Sequence, residues 1–130
     1  MANQTQVAAF NALDPRGCGF RVEFFRTADR YGHRVLAATS RSSAELWESV
    51  EGDASQTWPA SPALQALNID QVNKQGGPAA LVGMSGGAHW SLSVERMVVP
   101  GEVQLVFDAA CRAKTLPEQI TSRYRLGSEL

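Results

Sequence analysis

Hydrophobic and polar residues alternate along much of the chain with the period of two that is typical of half-buried β-strands. The alternation is clearest in HWSLSVER and VQLVFDAACR and is repeated in FRVEFFRTA and RVLAATS. Between the last two segments, Asp29 suits the first position of a hairpin turn and Gly32 the left-handed conformation. AELWESVEG contains helix-forming residues, but its last residues favour a strand. With AALVGM and ITSRYRL, in which Ile120, Tyr124 and Leu126 are predicted to face inward, these segments make about seven strands.

HWSLSVER and VQLVFDAACR predict a hairpin with a defined register. Pro100 and Gly101 between them suit the central positions of a type II turn. The predicted pairs, counted from this turn, are Val99 with Glu102, Val94 with Phe107, Leu92 with Ala109, and Trp90 with Cys111. This register places the apolar side chains on one face, and a slip of one residue would move them to the other face.

Two segments depart from the strand pattern. Ser61 and Pro62 suit the N-cap and the first position of a helix, and leucines follow at helical spacing, so we expect one short helix over about 62–74. Residues 1–16 lack a firm period and are expected to be loosely ordered. The elements together predict a mainly β fold, an antiparallel β sandwich or open barrel, in a single domain over 1–130.

Composition and charge narrow the class of protein. The 130 residues are 44% hydrophobic and 19% charged, which is ordinary for a globular domain. Twelve basic and thirteen acidic residues leave a net charge of −1 without a basic cluster, which argues against a nucleic-acid partner. There is no signal-peptide pattern and no apolar run of membrane-spanning length, so we expect a cytoplasmic location and no membrane partner. Cys18 and Cys111 should then stay reduced; they make no metal site, and no cofactor is indicated.

The segment GMSGGAHW contains the G-x-S-x-G pattern of a hydrolase nucleophile elbow, followed by a histidine. An elbow requires a helix after the serine, whereas the residues that follow Ser85 have a strand pattern. Gly86 and Gly87 between two strands are instead a common signal for a two-residue hairpin turn. A catalytic interpretation would use Ser85 with His89 and Asp108, but the predicted register does not place Asp108 beside His89. We therefore favour the turn.

A polar row on the strand after this turn is the stronger candidate for a binding site. In the predicted register it lies opposite the apolar face, together with an acid and an arginine of the next strand. The row consists of His89, Ser91, Ser93 and Glu95, and the acid and the arginine across from it are Asp108 and Arg112. A base, an acid and hydroxyl groups on one face suit acid–base chemistry, but a solvated sheet face with cross-strand polar pairs has the same composition.

Two tryptophans are candidates outside that face. Trp47 and Trp58 flank the polar loop before the predicted helix. Either they anchor the helix to the sheet, which is the commoner use of tryptophan, or they line a binding pocket or an interface. His33, beside the first predicted turn, is expected to be a lone surface histidine.

The run ALVGMSGGAHWSLSVE, followed by LVFDAACR and later by YRLGS, resembles small uncharacterised bacterial proteins of the kind common in planctomycete genomes. The resemblance covers about Trp58 to Ser128. It implies that these residues form one fold unit, and it brings no activity to the chain.

The leading hypothesis is a small cytoplasmic β-rich module that acts by binding either another protein or a second copy of itself as a homodimer. No catalytic or cofactor pattern fits its context, while several aromatic residues and an edge strand are available for contacts. The alternative is a small-molecule binder or hydrolase that uses the polar face around His89, Ser91 and Asp108. A concave pocket at that face would favour the alternative, and a flat solvated sheet would count against it.

Overall fold

A computed structural model describes residues 5–68 and 78–127 of the chain. These residues form nine strands and no helix. The strands are β1 (Thr5–Leu13), β2 (Gly19–Thr27), β3 (Arg30–Ala38), β4 (Ser43–Ser49), β5 (Ala66–Asn68), β6 (Ala79–Ser85), β7 (Ala88–Val99), β8 (Glu102–Arg112) and β9 (Tyr124–Leu126).

The strands form two antiparallel sheets that pack against each other. Sheet A has the order β1-β2-β3-β4-β9, and sheet B has the order β5-β6-β7-β8. Apart from β9, neighbouring strands are consecutive in the chain, as short hairpin connections require. The predicted mainly β fold is confirmed and has the form of a sandwich.

The hydrophobic core lies between the sheets, because each sheet turns one side of its alternating residues toward the other. Phe24 and Val35 of sheet A are fully buried, as are Leu81 and Val94 of sheet B, and all four belong to one cluster. Burial of a side chain of this size stabilises the fold by about 1.5–3 kcal/mol.

The register predicted for β7 and β8 is confirmed. The observed partners include Val99 with Glu102, Val94 with Phe107, Leu92 with Ala109, and Trp90 with Cys111. Gly101 has a φ of +85°, as the third position of a type II turn requires. Trp90, Leu92 and Val94 of β7 are buried, whereas Phe107 is only partly covered, because β8 is the edge strand of sheet B.

Strand β8 crosses sheet A instead of following one of its strands. Near the start of β8, Val103 shares a surface hollow with Leu13, at the end of β1. In the middle of β8, Phe107 packs on His33 of β3, with ring centroids 5.8 Å apart. Farther along, residues of β8 share a groove with Tyr124 of β9. The sheets therefore cross, and the sandwich stays open on the side of β9.

The predicted helix over 62–74 is wrong where the structure describes it. Ser61 does not cap a helix; its hydroxyl donates to the carbonyl oxygen of Arg123, 3.2 Å away. Leu64 is buried in the core in an extended segment, and its carbonyl oxygen accepts a 2.7 Å hydrogen bond from the Tyr31 amide. The chain then enters strand β5, so tertiary contacts override the local helix signal. Residues 69–74 lie outside the described part.

The start of the chain, which has no firm period in the sequence, contributes strand β1 to sheet A. Strand β1 pairs along its length with β2, and Ala8, Phe10 and Ala12 are buried against the core. These three residues have the period of two of a strand, but the alanines at 8, 9 and 12 hide the contrast between buried and exposed positions. Residues 1–4 lie outside the described part.

The two hairpin turns differ in how far they follow the prediction. Gly86 and Gly87 form the predicted two-residue loop, with φ of +55° and +83°. The β2–β3 loop consists of Ala28 and Asp29, and Ala28 has a φ of +51°. The left-handed role predicted for Gly32 is wrong, since Gly32 lies within β3.

Two further predicted strands are confirmed. AELWESVEG contributes to β4, and the end of ITSRYRL forms the short edge strand β9. Tyr124 of β9 is partly buried. Ile120 and Leu126 are 57% and 71% exposed, so their predicted inward position is wrong. The reason is that β9 has only three residues and lies at the open side of the sandwich.

Candidate functional site

The serine of the G-x-S-x-G segment has a structural role. The Ser85 hydroxyl lies 2.9 Å from the carbonyl oxygens of both Gln56 and Thr57, so its hydrogen bond ties the β6–β7 turn to the preceding loop. Within the described chain, Ser85 forms no hydrogen bond with His89, and neither residue pairs with Asp108. The geometry therefore favours the turn over a nucleophile elbow, as the sequence indicated.

The residues of sheet B that point away from sheet A form rows across its strands, and we call the three rows nearest the β6–β7 turn the outer face. The row nearest the turn is Met84, His89 and Arg112; the middle row is Ala66, Val82, Ser91 and Ala110; the third row is Asn68, Ala80, Ser93 and Asp108. Strands β7 and β8 continue beyond the outer face with further outward pairs, Glu95 with Val106 and Met97 with Gln104. The outer face thus brings together His89, Ser91, Ser93, Asp108 and Arg112 of the predicted polar residues, and Glu95 lies in the next row. Their role in binding stays a prediction.

The outer face is more apolar than the sequence indicated. Val82 is 54% exposed and Met84 is 52% exposed, and small alanines surround them. A hollow of about 560 Å³ lies beside His89 and Arg112, and a smaller one of about 180 Å³ lies beside Asp108. The face is therefore gently concave and offers apolar contact area between polar groups.

The charges of the outer face are not neutralised within the chain. Asp108 and Arg112 lie four residues apart on β8 and both point outward, yet neither has an ion-pair partner among the described residues. His89 stands next to Arg112 and Ser93 next to Asp108 through cross-strand pairing. One end of the face is consequently basic and the other acidic, with Ala110 between them.

The exposed side of sheet A is different, because its charges pair with one another. Glu23 accepts from Arg21 at 2.9 Å and lies 3.5 Å from the Arg34 guanidinium. Glu48, on the next strand, lies 3.7 Å from Arg34 and also accepts a hydrogen bond from Arg125. Cross-strand ion pairs thus satisfy these charges within sheet A, including Glu48, which is itself buried.

A second feature that sequence reasoning missed is an aromatic groove on the open side of the sandwich, with a volume of about 490 Å³. Trp47 of β4, Phe107 of β8 and Tyr124 of β9 are its aromatic lining residues. Behind it lies His33, which is only 4% exposed, so the expectation of a surface histidine is wrong. His33 has the same parity along β3 as the core residue Val35, and this spacing was the signal for its burial.

A cluster of buried titratable groups lies next to the groove. His33 Nε2 is 2.8 Å from the Tyr124 hydroxyl, while His33 Nδ1 has no hydrogen-bond partner among the described residues. Burial lowers the pKa of His33 to about 4. Burial raises the pKa of Glu51 to about 7, although a hydrogen bond to Ser49 and the charge of Arg30 act in the opposite direction. Burial, followed by the charge of Glu51, raises the pKa of Tyr124 to about 12.

The two tryptophans named from the sequence lie apart from the outer face. Trp47 is partly buried, packs against the core and forms an edge-to-face pair with Tyr124, with ring centroids 6.3 Å apart. Trp58 also packs partly buried against the core, and its carbonyl oxygen accepts a 2.6 Å hydrogen bond from the Gln119 side chain. Both residues combine packing with some exposed surface.

Comparison with protein-family models, with curated proteins and with solved structures finds no match to the chain in any of the three. The candidate site therefore rests on geometry alone. Within 5–68 and 78–127 there is no helix long and apolar enough to cross a membrane. Over the same ranges, no three His, Cys, Asp or Glu side chains are grouped as metal ligands would be.

Proposed function

We propose that the chain is a binding module that docks a protein surface on the outer face of sheet B. The observation that supports this most directly is the exposure of Val82 and Met84 between two charges, Asp108 and Arg112, that have no ion-pair partner within residues 5–68 and 78–127. Apolar contact area framed by polar groups is typical of protein interfaces. The cytoplasmic location expected from the sequence stays part of this proposal.

The residues of the outer face suit contact with a partner protein better than contact with solvent. Its middle row has small or apolar side chains, so a partner's backbone could approach closely and exclude water. The charges lie at the ends, where they would set orientation more than affinity. On sheet A, by contrast, outward charges are already satisfied by one another.

Site-specific photocrosslinking in cells of the native organism tests the proposal. The photoreactive residue p-benzoylphenylalanine replaces Met84 in one variant and Val98 in a matched control. Val98 is 63% exposed and also belongs to β7–β8, but it has the parity of the inward residues and lies near the hairpin tip. We expect protein adducts at Met84 and few at Val98. Equal or absent crosslinking at the two positions would contradict a docking role for the outer face.

A second candidate function is small-molecule binding in the hollow beside His89. Its volume of about 560 Å³ supports this candidate, because ligand pockets have about 300–1,000 Å³. Hydrolysis has less support, since no hydrogen bond joins His89, Ser91 and Asp108 among the described residues. A fragment screen by NMR would test it: binding should shift the His89 resonances and be lost in His89→Ala. Fragments that bind only elsewhere would remove this candidate.

A further inference from the structure

We infer that the occupant of the outer face is a second copy of this chain, bound face to face about a two-fold axis that runs across the strands through the Ser91–Ala110 row. The inference rests on the proposed docking function and names its partner. Its basis is that the outer face is complementary to itself under this one operation.

The charges select the axis. Along a strand, residues two apart are separated by about 6.8 Å, so Asp108 and Arg112 lie at about equal distances on either side of Ala110. A two-fold axis across the strands at Ala110 stacks β8 antiparallel on the partner's β8. It therefore places Arg112 of each copy opposite Asp108 of the other. A two-fold axis along β8 would instead set Arg112 opposite Arg112, and one along β7 would set Arg112 opposite Met84, so neither pairs the charges.

The other members of the rows also match. The strand pairing places Met84 and His89 in the row of Arg112, and Ala80 and Ser93 in the row of Asp108. The same axis sets the large Met84 over the small Ala80 and the imidazole of His89 over the hydroxyl of Ser93. Each unlike pair occurs twice, as the isologous interface of a two-fold dimer requires.

The size of the face predicts a weak, reversible dimer. Four strands spaced about 4.8 Å apart and three rows about 6.8 Å apart cover roughly 400 Å² per copy. Stable interfaces bury about 800 Å² per partner, so this one belongs to the small class that forms and separates readily. The small residues of the middle row let the two sheets approach closely, which brings the long Arg112 side chain within reach of the partner's carboxylate.

Charge exchange on β8 gives the test, with dimerisation measured by sedimentation velocity from about 5 μM to about 1 mM. We expect the wild-type chain to dimerise reversibly. Asp108→Arg and Arg112→Asp should each weaken the dimer by at least about tenfold, because like charges then face each other. The double variant with both changes should regain the wild-type dissociation constant. Circular dichroism would confirm that these exposed substitutions leave the fold intact.

A mixture of the two single variants makes the test independent of folding. Asp108→Arg has two positive positions on β8 and Arg112→Asp has two negative ones, so the two chains should form a heterodimer although neither dimerises alone. A wild-type chain that stays monomeric at about 1 mM, or single variants that dimerise as the wild type does, would overturn the inference. Adducts of Met84 with a different protein, together with a monomeric chain, would refute the second copy and still support the docking face. Absence of Met84 adducts would refute the docking face itself.

Discussion

The shifted pKa values of His33 and Glu51 predict a pH dependence of stability in which two opposite effects cancel. Burial lowers the pKa of His33 from 6.5 to about 4, and burial raises the pKa of Glu51 from 4.5 to about 7. Between pH 4.5 and 6.5 the unfolded chain therefore holds a proton on the histidine, and the folded chain holds one on Glu51. The two states bind equal numbers of protons at these sites, so the free energy of unfolding should change by less than about 1 kcal/mol over this range.

The substitution Glu51→Gln should reveal the effect of His33 protonation on the free energy of unfolding. It keeps a polar side chain of the same size for Ser49 but removes the titration, so only the unfolded state gains a proton as the pH falls. The proton difference is close to one in the middle of this range but smaller at its ends, because the unfolded histidine is only half protonated at pH 6.5; integrated over the two pH units it corresponds to about 2 kcal/mol. We therefore expect Glu51→Gln to lose about 2 kcal/mol of stability between pH 6.5 and 4.5. His33→Gln leaves only the Glu51 effect and should gain a similar amount as the pH falls over the same range.

Urea denaturation followed by tryptophan fluorescence at pH 4.5, 5.5 and 6.5 measures these differences. The protein should be kept at low micromolar concentration, because dimerisation would add to the apparent stability. Asp14, Asp29 and Asp53 have pKa values lowered below 3.8, so they titrate outside the chosen range. Parallel pH profiles for the wild type and both variants would refute the reasoning, as would slopes of the opposite sign.

Three smaller predictions concern folding stability and are checked by urea denaturation at neutral pH. Gly83→Ala should lower the free energy of unfolding by about 3 kcal/mol, because the added Cβ would overlap the carbonyl oxygen of Ala63. The control Gly87→Ala adds a Cβ that meets no atom, so it should lower the free energy of unfolding only through the strain of its positive φ, by about 1 kcal/mol. Ala28→Gly should gain about 0.5–1 kcal/mol, because it relieves a φ of +51° in a non-glycine residue, and no gain would mean that the turn is unstrained. Phe107→Ala should cost about 2 kcal/mol, less than the 3–5 kcal/mol of a fully buried aromatic residue; a larger loss would place this side chain deeper in the core than its partial exposure indicates.

The β7–β8 hairpin could be predicted from sequence because two independent signals agree there. The alternation of HWSLSVER and VQLVFDAACR defines which residues share a face, and Pro100-Gly101 fixes the turn that sets the register. Both signals are local, and neither depends on what packs against the hairpin. The polar residues of the outer face, from His89 to Arg112, follow directly from this register.

The buried cluster could not be predicted in the same way, because it joins distant parts of the chain. His33 lies beside Tyr124, 91 residues away, and beside Phe107 of the other sheet. The helix predicted over 62–74 failed for a related reason. Ser61 and Pro62 are genuine local helix signals. However, an extended conformation buries Leu64 in the hydrophobic core, and this burial stabilises the fold more than a helical turn would.

The exposed apolar residues of β6 could not be identified from the sequence, and their exposure is part of the support for a docking function. AALVGM is a continuous apolar run, so its alternation cannot tell which residues face the core. In the structure Leu81 is buried, while Val82 and Met84 on the opposite side are about half exposed. Single exposed apolar residues are common and need no explanation. Here two of them are neighbours in one face that also presents an acid and a base, Asp108 and Arg112, on either side of Ala110. Neither of the two has an ion-pair partner in the described part of the chain, and that arrangement favours a partner over solvent.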